Sequence, residues 1–346
     1  MVDLSKKEKL LVALAWPEPK DIVERIRNNY PNIRPALTTS PGIFDNVTIL
    51  FTFNFYPPSP EAAPKLELVH VASAGADHVV KSPIFYPTDI TFTTSSGIHG
   101  PQIGEWVILT LLVQNHHYNL LYEQQKTHTW TKYHEVKDVK DYVGQRLGVL
   151  GYGSIGRQAA RIAKALGMVV IAYTATPKDT PEKRRDNGFI VPGTGDVDGS
   201  IPSQWYSGTD KASIHEFLKQ DIDVLLVSVP LTKDTRHLLS TAEFDILSKK
   251  KALISNIARG AIIDQPALIA ALEAGKLRGA ALDVTDPEPL PSNDPLWKAP
   301  NVTITPHISG NAVDYIERLF AVLEVNLARR AKGEPLINVI DRKKGY

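Results

Sequence analysis

Arg259, Asp283, Glu288 and His307 each stand just beyond a short apolar segment, after Ala252–Ser255, Gly279–Leu282 and Val302–Ile304 in turn. Arginine is always charged and offers a planar fork of donors, so Arg259 suits holding a carboxylate and polarising a carbonyl. The ordinary pKa of histidine lies near neutrality, so His307 suits delivering a proton to a developing alkoxide. A carboxylate beside it, here Glu288, favours the imidazolium and fixes the ring's orientation. Asp283 suits either orienting a nicotinamide carboxamide or anchoring its own loop. Any one of these residues alone reads more simply as an ion pair or a packing group. Their shared place after strand-like segments argues for chemistry, because the carboxyl ends of parallel strands line the ligand crevice of an open α/β sheet. The chemistry they fit is hydride transfer to the carbonyl of a 2-keto acid, which needs an anchor, a polarising group and a proton donor.

A hydride source is legible upstream. Arg146–Leu150 is a short strand-like run that meets Gly151, Gly153 and Gly156 in the spacing G-x-G-x-x-G. The first glycine permits a tight turn, the second lets backbone approach a pyrophosphate, and the third lets helix pack on strand. The helix that follows presents its first N–H groups, at Ser154 and Ile155, to the phosphates. Its apolar face carries Ile155, Ala159, Ile162, Ala163 and Leu166, its polar face Arg157, Arg161 and Lys164, and Gly167 closes it. A second strand, Met168–Tyr173, ends at Thr174 with no acid to pair with an adenosine ribose. Lys178, Lys183, Arg184 and Arg185 follow. A neutral strand end with cations nearby suits a 2′-phosphate, so NADP(H) is favoured and NAD(H) is the alternative; as a plain surface feature the same cations are a solvated helix face.

The elements that must position these groups alternate strand and helix. Leu10–Ala15, Val47–Phe53, Leu68–Ala72 and Ile90–Thr93 read as strands and Lys20–Asn29 as a helix, a small parallel α/β unit. Ser73-Ala74-Gly75-Ala76 follows one of those strands, where backbone N–H groups can form an anion nest for a carboxylate or simply a turn. Phe53-Asn54 follows another and is a place for side-chain selectivity. A helix over about Gln102–Gln125 is apolar nearly all round and wants burial on more than one side. His116, His117, His128 and His134 lie in or after it without a metal-site spacing, so no metal is expected. Residues 186–209, rich in glycine and carrying Trp205 and Tyr206, read as a long irregular excursion that covers a site or reaches a partner subunit. Ser240-Thr241-Ala242-Glu243 has the form of a capping box, and Asp264 caps the next helix, closed by Gly275. Asp286 and Glu18 acquire no role.

The chain has 346 residues, 43% hydrophobic and 22% charged, with net charge +1 and no cysteine. Two domains fit that length. The balanced charge gives no electrostatic case for nucleic acid or an anionic membrane, and no apolar run spans a bilayer. Absence of cysteine rules out disulfides and thiol catalysis and fits a cytoplasmic setting.

Taken in order, Ser73–Val79, the G-Y-G-S-I-G turn, Pro230-Leu231-Thr232, Asn256–Gly260, Asp283–Pro289 and Thr305–Gly310 resemble the D-isomer-specific 2-hydroxyacid dehydrogenase family, which includes glyoxylate/hydroxypyruvate reductases. The resemblance implies two Rossmann-like doubly wound parallel-sheet domains, one of residues 1–99 with 312–346 and one of 100–311, with the active site in the cleft between them. It implies Arg259, Glu288 and His307 as the catalytic set and Pro230 among the coenzyme contacts. It also implies Ser73–Ala76 as a carboxylate-binding loop and a homodimer built through the apolar helix and its following arm. Three features depart from the family pattern: Thr174 replaces the acid of NAD-using members, Thr285 replaces an aromatic, and residues 186–209 are longer. A non-catalytic dinucleotide-sensing scaffold of corepressor type shares the fold. A formate dehydrogenase has Gln where Glu288 stands.

Overall fold

The computed structural model describes residues 8–14, 20–36, 42–132, 136 and 139–346. The expectations at Ala15, Glu18 and His134 fall outside them. The chain divides into two compact units. Unit 1 holds residues up to Ile98, Asn187–Val191 and Ala312–Tyr346; unit 2 holds His99–Asp186 and Pro192–Asn311. The segment 187–191 was expected in the other unit.

Unit 1 is built on β1 (Glu8–Ala13), α1 (Lys20–Asn29), β2 (Ile33–Ala36), β3 (Ile49–Thr52), β4 (Leu68–Val71) and β5 (Thr91–Thr94). The strands are all parallel in the order β2-β1-β3-β4-β5. That order is the flavodoxin-like doubly wound arrangement. β3 and β4 are buried along their whole length, as expected of parallel strands covered on both faces. One face packs Leu10, Val12 and Phe51 against Ile22 and Ile26 of α1 and Phe320 and Leu323 of the C-terminal helix Tyr315–Lys332. The other packs Leu11, Leu50 and Val69 against Phe85 and Phe92. β2 was not anticipated: Ile33-Arg34-Pro35-Ala36 contains a proline, which a sheet tolerates at its edge, where β2 lies.

His70 sits at the centre of β4, fully buried. Its Nδ1 is 2.7 Å from the Thr93 hydroxyl and its Nε2 3.2 Å from Ser95 Oγ, which itself donates to the Val71 carbonyl at 2.8 Å. Ser95 therefore accepts from Nε2–H and Thr93 donates to Nδ1, a neutral ring with both nitrogens paired. Burial pushes the His70 pKa down to about 3. The unfolded chain binds this proton near pH 6.5 and the folded chain does not, so stability is complete above pH 6.5 and is lost as pH falls towards 3. At 1.36 kcal/mol per pH unit the loss reaches about 5 kcal/mol. Urea midpoints measured from pH 7 to pH 4 should fall steeply in the parent protein and more gently in His70→Leu.

Unit 2 begins with α2 (Gly100–Asn115) and α3 (Tyr118–Lys126). Then come β6 (Arg146–Leu150), α4 (Ser154–Ala165), β7 (Val169–Thr174), α5 (Pro181–Arg184), β8 (Gln204–Ser207) and α6 (Lys211–Leu218). β9 (Val224–Val227), α7 (Thr241–Leu247), β10 (Leu253–Asn256), α8 (Gln265–Glu273), β11 (Gly279–Leu282) and β12 (Val302–Ile304) complete it. Its parallel sheet runs β12-β11-β10-β9-β6-β7-β8. Strand order reverses between β6 and β9, the switch point at which such sheets bind ligands.

Two expectations are corrected here. The single helix over Gln102–Gln125 is two, because His117 takes a left-handed conformation, φ 53°, that ends α2 and starts α3. The excursion 186–209 is irregular as far as residue 203, as expected, and ends in β8, which pairs with β7; the second correction concerns its aromatics. Its aromatics pack inward: Trp205 meets Tyr152 edge-on at 5.0 Å and Tyr206 lies against Phe217. Among the described residues no helix is long and apolar enough to cross a membrane.

Candidate active site

The glycine turn follows β6 directly. Gly151 has φ +101°, a conformation that favours glycine, and a Cβ there would lie 2.7 Å from the Ser228 backbone. Ser228, just past β9, donates its hydroxyl to the Gly151 carbonyl at 2.6 Å, so the two strands of the switch point are tied together at their ends. A Cβ at Gly156 would meet the Gly151 carbonyl at 2.5 Å, whereas a Cβ at Gly153 would meet nothing within 4 Å. The tight turn, the open approach and the helix-on-strand contact thus fall on the three glycines in the order a pyrophosphate site requires. The first i→i−4 bond of α4 runs from Arg157 N–H to the Gly153 carbonyl, so the N–H groups of Ser154, Ile155 and Gly156 precede the helix's own hydrogen bonds. These residues fit a dinucleotide.

At the end of β7 the Thr174 hydroxyl donates to the Thr176 carbonyl at 2.8 Å, and no carboxylate occupies that strand end. Lys178 is half-buried beyond it, and the Arg184 guanidinium donates Nε–H to its carbonyl at 2.8 Å. Burial, with the Arg157 guanidinium nearby, holds the Lys178 ammonium below the ordinary lysine range. Arg157 itself was expected on the solvent face of α4. It is instead buried, with one Nη donating to the Arg184 carbonyl at 2.6 Å.

The strand ends after β10, β11 and β12 come together within unit 2. His307 Nδ1 lies 3.0 Å from Glu288 Oε2, and the other oxygen of Glu288 accepts from the Thr285 N–H at 3.1 Å. The pair is roughly half exposed, which leaves His307 Nε2 as the ring's remaining proton-bearing atom. The turn carrying His307 is organised by Asp283, which is almost wholly buried. Its Oδ1 accepts from Thr305 Oγ1 at 2.6 Å and Ile308 N–H at 2.9 Å, and its Oδ2 from the N–H and hydroxyl of Ser309. Its carbonyl takes the His307 N–H at 2.8 Å. Four donors occupy the lone-pair positions of one carboxylate, so of the two expected roles Asp283 holds the loop-anchoring one in this structure.

Arg259 follows β10, its Nη1 donating to the Ala258 carbonyl at 2.8 Å while its own carbonyl accepts from the Asn256 side chain. The next residue explains how its turn meets the Glu288 loop: a Cβ on Gly260 would coincide with the Thr285 carbonyl, 2.0 Å away. Pro230, on the β9 end, accepts from the Thr235 hydroxyl in a compact turn. Gln102 of α2 donates to the Gly310 carbonyl just beyond the His307 turn.

In unit 1 the Ser73–Ala76 loop leaves the carboxyl end of β4. Ser73 Oγ donates to the Gly75 carbonyl at 2.9 Å, and the Ser73 carbonyl accepts from Ser95 N–H at 2.9 Å. Among the described residues no acceptor takes the N–H groups of Ala74, Gly75 and Ala76. Phe53 and Asn54 are exposed on the neighbouring β3 end, with Phe53 stacked on His78 at 5.6 Å.

Ser228, Thr305 and Ser309 were missed from the sequence. Their signal was weak: each is a small hydroxyl one or two residues from a strand-end residue already singled out.

A family model described as D-isomer specific 2-hydroxyacid dehydrogenase, NAD binding domain, matches residues 108–191 and 200–309. The gap between the two matched stretches lies inside the 186–209 excursion. A glyoxylate reductase of Thermofilum pendens is 27% identical over 340 residues, which cover 95% of this chain and 93% of that protein. A glyoxylate reductase of Aeropyrum pernix is 34% identical over 200 residues, 58% of this chain and 52% of its own length. The solved NADPH-dependent glyoxylate/hydroxypyruvate reductase of Sinorhizobium meliloti, in complex with NADP and sulfate, aligns over 98% of this chain and 100% of that one with a TM-score of 0.75. At 24% identity that likeness is one of fold.

Proposed function

This chain belongs to the D-isomer-specific 2-hydroxyacid dehydrogenase family, and we propose that it reduces a small 2-keto acid of the glyoxylate or hydroxypyruvate type to the D-2-hydroxy acid, with NADPH preferred over NADH. The observation that carries the reading is the Glu288–His307 pair at 3.0 Å on a turn of the same unit that carries the Gly151–Gly156 site. A bound dihydronicotinamide supplies the hydride. His307 holds the proton on Nε2 and passes it to the carbonyl oxygen as the carbon accepts the hydride, so alkoxide becomes hydroxyl. Glu288 fixes the ring and stabilises its charged form. Arg259 holds the substrate carboxylate and polarises the carbonyl. In unit 1 the N–H groups of Ala74–Ala76, which no acceptor takes among the described residues, give the Ser73–Ala76 loop the character of a carboxylate nest.

Initial rates with glyoxylate, hydroxypyruvate and branched or aromatic keto acids, each with NADH and NADPH, test the reading. Consumption of NADPH with a small keto acid is expected; binding without oxidation for every acid would favour a scaffold role and overturn it.

The coenzyme preference rests on Thr174 and Lys178. Removing one charge-assisted contact to a 2′-phosphate costs about 1.5–3 kcal/mol, roughly tenfold to a hundredfold in affinity. Lys178→Ala should raise the KM for NADPH by that factor and leave the KM for NADH nearly unchanged. Equal changes for both coenzymes would remove Lys178 from the phosphate site.

A homodimer through α2 and α3 is part of the proposal. Leu109, Tyr118, Leu120 and Tyr122 are exposed there, a run of apolar side chains that association would cover. Light scattering on the purified protein reads the mass directly.

A further inference from the structure

Between β7 and β8 the chain leaves unit 2 after Asp186, contributes Asn187–Val191 to unit 1 and returns at Pro192. The base of this excursion is closed by Asp186 N–H donating to the Val197 carbonyl at 2.8 Å. One buried guanidinium grips both of its feet. Arg157 donates to the Arg184 carbonyl at 2.6 Å on the outgoing side and to the Asp196 carbonyl at 2.5 Å on the returning side. Its Nε lies 3.6 Å from the Asp186 carboxylate. The same guanidinium sits over the ring of Tyr152, the residue between the first two glycines of the turn, 5.1 Å from its centroid. The Tyr152 hydroxyl donates to Asp196 Oδ2 at 2.8 Å, and Gly195 N–H donates to the Gln158 side chain of α4 at 2.7 Å. The base is thereby fastened to the glycine turn and to the first turn of α4.

The tip is seated in unit 1. Phe189 packs against the core that contains Leu10, Ile98 and Phe320. Its carbonyl occupies the place a Cβ on Gly97 would take, 2.0 Å away, and Gly97 has φ +105°. Gly97 lies two residues before the chain passes from Ile98 of unit 1 to His99 of unit 2.

We propose that residues 186–199 form a strap that couples the dinucleotide turn to unit 1, with Arg157 and Phe189 as its positioning residues. Domains joined by ordinary linkers are expected to move independently. A segment fastened at its base to Tyr152 and Arg157 and at its tip to the backbone of Gly97 transmits ordering of the turn to residues 95–98. The inference rests on the coenzyme reading above.

Hydrogen exchange read by mass spectrometry on the full chain, with and without NADPH, tests it. NADPH binding is measured separately by nicotinamide fluorescence, and kcat and KM with glyoxylate. In the parent protein NADPH should slow exchange at 95–98 and 187–191. Phe189→Ala should abolish the slowing at 95–98, leave the NADPH Kd close to the parent's, and lower kcat by about fivefold or more, the lower end of typical coupling between sites. Phe189→Leu, which keeps an apolar tip, should restore both. NADPH binding with no slowing at 95–98 in the parent, or equal slowing in Phe189→Ala, overturns the strap and leaves the coenzyme reading intact. Failure of the parent to bind NADPH overturns both.

Discussion

Substituting His307 by Ala is expected to lower kcat by about 10²–10⁴, the usual contribution of a positioned general acid, while NADPH binding stays near the parent value. The argument is geometric. Nδ1 is committed to Glu288 at 3.0 Å, so Nε2 is the proton-bearing atom left to face a reacting carbonyl. Glu288→Gln separates the two functions of the pair. Its amide oxygen still accepts from Nδ1–H, but the charge that stabilises the imidazolium is gone. Charge-assisted hydrogen bonds are about twice as strong as neutral ones, so a loss near tenfold in kcat is expected, well short of His307→Ala. A kcat unchanged by His307→Ala would overturn the proton-donor role outright. A Glu288→Gln variant as impaired as His307→Ala would instead show that the carboxylate does more than hold the ring.

What was legible in the sequence was local. The glycine spacing needed only Gly151, Gly153 and Gly156 and the apolar run before them, and the structure gives each glycine the steric role its place implies. The strand ends were legible because β9, β10 and β11 are parallel and buried along their whole length, so each apolar run stops abruptly at a polar loop. What escaped depended on partners distant in sequence. Arg157 reads as a solvent-facing helix residue until the carbonyls of Arg184 and Asp196, 27 and 39 positions away, are brought to it. The division of α2 from α3 turns on the backbone of His117, which no hydrophobic period encodes. Asp283 could be read as a ligand contact or an anchor, and only the donors supplied by Thr305, Ile308 and Ser309 distinguish the two.

Those donors make Asp283→Ala the substitution with the largest expected effect on stability. The buried carboxylate takes four hydrogen bonds from residues 305–309. Each buried donor left without a partner costs about 1–3 kcal/mol. Relaxation and entering water recover part of the sum, so a net loss of roughly 3–5 kcal/mol is expected, at the upper end for single substitutions. Activity should fall as well, because His307 sits at φ 54°, a left-handed conformation that costs a non-glycine residue about 1–3 kcal/mol and persists only where its surroundings hold it. Without the Asp283 side chain the turn is free to relax, and Nδ1 loses its register with Glu288. Asp283→Asn keeps an acceptor for Thr305 and Ile308 but turns an N–H₂ group towards the Ser309 N–H, so it should fall between the parent and Asp283→Ala. Thr305→Val takes one of its two donors from the buried Oδ1 and should cost about 1.5–3 kcal/mol, less than Asp283→Ala. Urea midpoints and kcat measured well below the melting temperature separate the two effects. A Asp283→Ala protein that is destabilised yet turns over at the parent rate would mean that the 305–309 turn holds His307 without its anchor, and the link from Asp283 to catalysis would fail.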